Sequence, residues 1–138
     1  LDSMEMAVLC RRGHPLRRAT RWDDLADAEW LMHIAAGSQH ARWVEQLKAQ
    51  QLRLPQHVIE VNSFGTSWSL LTRSDALLVA PADLLDTEPF GSMIERIPVA
   101  LELPPLQLGL ITLRGIPLSM AAQRLAEQFR KFLALAKR

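Results

Sequence analysis

Several features that would point straight to a function are scarce or missing. One cysteine, Cys10, stands among 138 residues, which excludes an intrachain disulfide framework and a multi-cysteine zinc site. An excess of one charge is missing too. Sixteen Lys and Arg face 15 Asp and Glu, a formal net charge of +1, which argues against a generally basic nucleic-acid binder. No apolar run reaches the roughly 18 residues of a membrane span, and no charged leader precedes one. The chain is therefore expected to be soluble, not secreted through this terminus, and without a membrane partner. No GxSxG elbow, P-loop, GxGxxG turn or HExxH pair occurs either. Enzyme chemistry, a metal and a cofactor thus have no support. The first residue is Leu1 rather than Met, so the chain is expected to be part of a longer protein.

What is present has a globular balance, with 49% hydrophobic and 22% charged residues and a length that suits one domain or two small lobes. Charge is uneven along it. Arg11, Arg12, Arg17, Arg18 and Arg21 come with no acid between them, and Asp23, Asp24, Asp27 and Glu29 follow at once. Acids dominate from Ser74 to Glu102, and bases dominate again after Arg114. Solvated faces and helix-end cations explain these clusters. A phosphate-binding surface is the sharper alternative, weakened by the absence of interleaved aromatics.

Apolar runs and turn residues predict an alternation of strands and helices. Met4–Cys10 reads as a strand ended by Arg11-Arg12-Gly13, and Pro15 makes a turn. Trp22–Ala26 reads as one helical turn. A buried strand over Trp30–Ile34 runs into Ala35-Ala36-Gly37-Ser38, with Ser38 as N-cap of a helix reaching towards Leu54-Pro55. Val58–Val61 is a third strand, and a helix of roughly seven residues follows Asn62–Thr66 through Leu70 and Leu71, with Thr66 in a capping position. Ala76–Ala80 is a strand closed by Pro81, which starts a short helix. Ile94–Pro98 alternates like an edge strand. Leu103-Pro104-Pro105 is the clearest break. Beyond it come a strand over Leu106–Thr112 and a helix from Ser119. That helix carries Leu118, Ala121, Ala122, Leu125, Phe129, Phe132 and Leu133 on one stripe. Such an order implies a parallel or mixed sheet with helices on both faces.

Four histidines, His14, His33, His40 and His57, lack any recognised metal-ligand spacing. His33 draws most interest because it ends a buried strand, although a ring satisfied by backbone groups explains it better. Cys10, Trp43 and Trp68 fit core positions better than a nucleophile or pocket walls. Asp23-Asp24 and Asp83 with Asp86 fit helix starts better than catalytic pairs. One constellation goes further. The turns Gly37-Ser38-Gln39 and Asn62–Ser67 both put small hydroxyl residues where helices begin. Strand-to-helix turns of a doubly wound sheet gather around the ligand crevice, where helix N–H groups and hydroxyls can hold an anion. Ordinary N-capping accounts for the same residues, and the two readings are compatible.

Arg12-Gly13-His14-Pro15-Leu16, followed by Trp22-Asp23-Asp24-Leu25-Ala26-Asp27-Ala28-Glu29-Trp30, resembles the opening passage of the second lobe in LysR-type transcriptional regulators. The likeness continues through Val58–Leu71 and Asp75–Pro81. It closes with Leu110–Ala122, which is similar to that family's last strand and helix. It spans nearly the whole chain, in order. Arg73-Ser74-Asp75 departs from it, standing where many members carry a glycine-containing turn.

The resemblance implies an α/β, periplasmic-binding-protein-like (type II) fold. Its Rossmann-like lobe would have a mixed, mainly parallel sheet with helices on both faces. Residues 1–104 would form the second lobe of an effector-binding domain. Residues 105–138 would be the strand and C-terminal helix returning to the first lobe. The remainder of that lobe and an N-terminal winged helix-turn-helix would lie outside this chain. A small, anionic effector would bind between the lobes at His33, Ile34, Ser38, Ser63, Phe64, Thr66 and Ser67. Self-association as a dimer or higher oligomer, DNA contact only through the absent N-terminal domain, a cytoplasmic location, no cofactor and no catalysis complete the expectation. A solute-binding transport protein or an enzyme on a similar two-lobed fold is the alternative.

Overall fold

The computed structural model of the chain describes residues 2–136. Seven strands and three α-helices follow one another as β1 (Asp2–Met4), β2 (Met6–Arg11), β3 (Glu29–Met32), α1 (Gln39–Ala49), β4 (His57–Glu60), α2 (Phe64–Arg73), β5 (Leu77–Pro81), β6 (Ile94–Arg96), β7 (Leu106–Leu108) and α3 (Met120–Ala136). Short 3-10 turns at Trp22–Asp24 and Ala82–Asp86 stand where the sequence predicts one helical turn and a short helix, with Pro81 closing β5 rather than opening the second. Two compact units result. Residues 5–106 form one, and residues 2–4 with 107–136 form the other.

The larger unit is built on a five-stranded sheet of order β4-β3-β5-β2-β6. β3 runs parallel to β4 and β5, while β2 is antiparallel to β5 and β6. Four strands therefore point one way and β2 opposes them, a mixed, mainly parallel sheet. The central strands β2, β3 and β5 are apolar on both sides, as burial on both faces requires. Met6, Val8 and Cys10 of β2, Trp30 and Met32 of β3, and Leu77 and Val79 of β5 join Trp43 and Leu47 of α1 in one core. The alternate residues Ala7, Leu9, Leu31, Leu78 and Ala80 join Leu71 of α2 in the other. Period-two alternation thus assigns one helix to each face.

Several boundaries differ from the sequence reading. β3 ends at Met32, so His33 and Ile34 lie in the turn after it rather than in the strand, and β6 ends at Arg96 rather than Pro98. The run from Met4 to Cys10 is two strands, because Glu5 lies between β1 and β2 and β1 pairs with β7. α1 stops at Ala49, five residues before Leu54. Gln51 turns left-handed at φ 55°, and the N–H groups of Gln51 and Leu52 return to the carbonyls of Lys48 and Leu47. That is the helix-ending geometry glycine usually supplies. β7 covers only the first three residues of the expected strand.

The distinctive sequence passages have structural explanations. His14 is buried, accepting the Leu16 N–H at Nδ1 over 2.9 Å and meeting the Asp75 carbonyl through Nε2 at 3.1 Å. Arg11 holds the Asp75 carboxylate at 2.7 Å. Ser74 needs no glycine-like angle. It is extended, and its hydroxyl donates to the Leu70 carbonyl at 2.7 Å and accepts the Ala76 N–H at 3.2 Å. Cys10 is buried, and desolvation, reinforced by Glu95, pushes its thiol up to about 11. It is a core residue without nucleophilic character.

In the smaller unit, the Gln107 amide donates to the Ser3 hydroxyl at 3.1 Å and Ser119 caps α3 by accepting the Ala122 N–H. Ala126 is buried while Leu125, Phe129 and Phe132 are exposed. An apolar groove of about 340 Å³ lies along Leu108, Leu110, Phe129, Phe132 and Leu133. Among the described residues no helix is long and apolar enough to cross a membrane, and no group of three His, Cys, Asp or Glu is placed to hold a metal ion.

Candidate functional site

β3 and β4 are parallel neighbours, so the turns that follow them leave the sheet at the same rim. Each turn passes straight into a helix. After β3, Gly37 at φ 76° reverses the chain and Ser38 caps α1, accepting the Ala41 N–H at 3.1 Å. After β4, Ser63 caps α2, accepting the Thr66 N–H at 3.2 Å. The cap of α2 is therefore Ser63, not Thr66, and the helix runs ten residues rather than seven. An N-cap satisfies the third helical N–H and leaves the first two without an intrahelical acceptor. These are Gln39 and His40 in α1, and Phe64 and Gly65 in α2.

The two turns are tied together. His33 Nδ1 lies 3.2 Å from the Val61 carbonyl, and the Val61 N–H donates to the Met32 carbonyl. Ser38 Oγ donates to the His33 carbonyl at 2.6 Å. The His33 N–H donates to His40 Nδ1 at 2.8 Å, and His40 Nε2 meets the Val79 carbonyl at 3.1 Å. The ends of β4, β3 and β5 and the start of α1 are thus joined in one network. His40, which its spacing did not single out, is the residue that links three of them. No local pattern marks it, since Val79 lies 39 positions away.

Hydroxyl groups at the rim are not equivalent. Ser63 Oγ donates to Thr66 Oγ1 at 2.8 Å, so the exposed Thr66 hydroxyl keeps its own proton for another acceptor. Ser67 is buried, and its hydroxyl donates to the Ser63 carbonyl at 2.9 Å. It holds the turn and offers nothing outward. Ile34 and Phe64 are 52% and 54% exposed, and Phe64 stacks on Trp68 and meets the edge of Phe90 at ring distances of 6.3 and 5.7 Å. Trp43 lies in the core, while Trp68 is half-buried on the other face. Capped helix starts, the outward Thr66 hydroxyl and exposed apolar side chains share this rim, a combination suited to a small anion.

The model of the LysR substrate binding domain matches residues 1–134. The chain belongs to this family. Over 134 residues, 96% of this chain and 34% of that protein, it is 30% identical to the HTH-type transcriptional regulator GalR of Pseudomonas putida. Among solved LysR-type structures, the effector binding domain of QuiR in complex with shikimate superposes with a TM-score of 0.69 at 15% identity, covering 92% of this chain and 60% of that one. The effector binding domain of BenM with its effector benzoate gives 0.63 at 16% identity, covering 99% and 62%. These likenesses establish the periplasmic-binding-protein-like architecture of a LysR effector domain. The chain spans about a third of the length of the curated relatives it matches.

Proposed function

We propose that this chain is the effector-sensing part of a cytoplasmic LysR-type transcriptional regulator, and that the rim over β3 and β4 receives a small carboxylate. The bond between His33 Nδ1 and the Val61 carbonyl carries the reading, because it brings two capped helix starts to one place. In this reading Ser38, Ser63 and Thr66 surround the anion, with the first N–H groups of α1 and α2 pointing at it and no Lys or Arg required. Ser63 donates to Thr66, and that polarises the Thr66 hydroxyl towards the ligand. Ile34 and Phe64 form apolar walls, His33 ties the two turns together, and Ser67 supports the second. Benzoate and shikimate, the ligands of the BenM and QuiR structures, are both carboxylates, which supports this ligand class.

In the same proposal, residues 1–104 are the second lobe and residues 105–138 return to the first. The exposed stripe of Leu125, Phe129 and Phe132 is what the remaining first lobe covers. Effector binding shifts lobe closure or subunit packing in a self-associated regulator, and so repositions DNA-binding domains carried elsewhere on the polypeptide. No catalytic step is involved.

Calorimetry on the full-length regulator with benzoate, shikimate and related carboxylates tests this reading. Losing a hydrogen bond to a charged group costs about 1.5–3 kcal/mol, so Thr66→Val is expected to weaken binding about 10- to 100-fold. Unchanged affinity in that variant would remove Thr66 from the site. Failure of every small carboxylate to bind would overturn the anion reading.

A further inference from the structure

Strand β3 ends one rung before its neighbour β5 does. The Met32 carbonyl accepts the Val61 N–H on the β4 side, so alternation turns the backbone groups of Leu31 and His33 towards β5. The next rung there would join the His33 N–H to the Val79 carbonyl and the Pro81 N–H to the His33 carbonyl. Proline has no N–H, so that rung lacks a donor. Two side chains from the start of α1 take its place. Ser38 Oγ donates to the orphaned His33 carbonyl. The His40 imidazole lies between the other pair, accepting from His33 and reaching Val79.

We propose that His40 is a positioning residue. Its neutral ring, protonated at Nε2, replaces the missing β3–β5 rung and latches the rim, and a second proton on the ring releases it. The consequence for ligand binding rests on the effector reading above; the latch itself does not.

The ring bridges in one form only. The His33 N–H needs a lone pair at Nδ1, which fixes the proton on Nε2. A proton added at Nδ1 would set donor against donor across 2.8 Å. Burial, helped by the charge of His33 and opposed by the Val79 carbonyl, already holds His40 below the usual 6.5. His33 is the titratable group among the described residues whose charge acts on it, while β5 presents the Val79 carbonyl. Because the folded value lies below the unfolded one, the unfolded chain binds more protons between them. The latch's stabilisation is therefore whole above the unfolded value and is lost as pH falls through the folded one.

Amide hydrogen exchange at His33 in the whole chain, corrected for the intrinsic rate, is to be followed from about pH 7.5 to about pH 5. Wild type is expected to lose protection about tenfold or more across that range. His40→Leu should be poorly protected throughout. His40→Gln has an amide that does not titrate and should show no step. Far-UV circular dichroism checks that each variant folds. If His40→Leu does not, the wild-type step and the flat His40→Gln profile decide. A wild-type profile without a step, or the same step in His40→Gln, overturns the latch. Benzoate titrated into the same samples separates the two readings. If it binds at neither pH, the effector rim fails, and the exchange step still decides whether His40 acts as a latch.

Discussion

Replacing Trp30 and Trp43 by phenylalanine, one at a time, makes the same chemical change at two touching side chains of opposite hydrogen-bond status. Their ring centroids are 4.9 Å apart, and both residues are fully buried. Trp30 Nε1 donates to the Leu25 carbonyl at 3.0 Å. Trp43 Nε1 is buried without a partner among the described residues. Each substitution removes about 40 Å³, which at about 24 cal/mol per Å³ of unfilled space costs about 1 kcal/mol. Trp30→Phe also loses the bond to the Leu25 carbonyl, which keeps the Ala28 N–H at 3.0 Å as a partner, so the addition is about 0.5–1.5 kcal/mol. Trp43→Phe instead deletes an unpaired donor and recovers about 1–3 kcal/mol. The expectation is a loss of about 1.5–2.5 kcal/mol for Trp30→Phe and no loss for Trp43→Phe, a gap of at least about 1.5 kcal/mol. Urea unfolding followed by far-UV circular dichroism measures it, since fluorescence would report on the residues being changed. The slope with urea should not differ between variants. Two variants within about 0.5 kcal/mol of each other, or Trp43→Phe the worse, would refute the hydrogen-bond reasoning.

Two further outcomes follow from the geometry. Ser63→Ala removes the cap of α2 and should cost about 1 kcal/mol in the same unfolding assay, whereas Thr66→Val leaves that cap bond in place and should change stability far less than it changes affinity. At Gly91 an added Cβ would lie 2.1 Å from the Leu85 carbonyl oxygen, so Gly91→Ala must displace backbone and is expected to cost about 1–3 kcal/mol. An unchanged Tm for Gly91→Ala would show that this loop gives way freely.

Much of the fold was legible because its signals are local. Apolar runs between turn residues located the strands of the larger sheet, Ser38 announced the start of α1, and the wide spacing of Leu118 to Leu133 announced α3. Boundaries were less legible where local rules allow more than one ending. Gln51 closes α1 in a conformation that glycine normally adopts, so no glycine marked the stop. Ser63 and Thr66 both fit a cap, and only the backbone path after β4 chose Ser63. At the site, Ser38 and the Asn62–Ser67 turn were visible as hydroxyl-rich helix starts. Nothing in that pattern distinguished Ser67, turned inward, from Thr66, turned outward.

A near-neutral chain with one cysteine and alternating apolar segments determined by itself that this is an α/β domain without disulfides, built from motifs resembling LysR-type regulators. Those properties depend on composition and on short-range periodicity, which the sequence carries directly. Tertiary structure alone decided that β1 leaves the main sheet to pair with β7, that Trp43 is buried with an N–H unpaired among the described residues, and that His40 bridges β3 and β5. Each of these depends on groups far apart in the chain meeting at hydrogen-bond distance. Only the folded sheet, with its register set and Pro81 unable to donate, brings a histidine of α1 to a rung the backbone cannot complete.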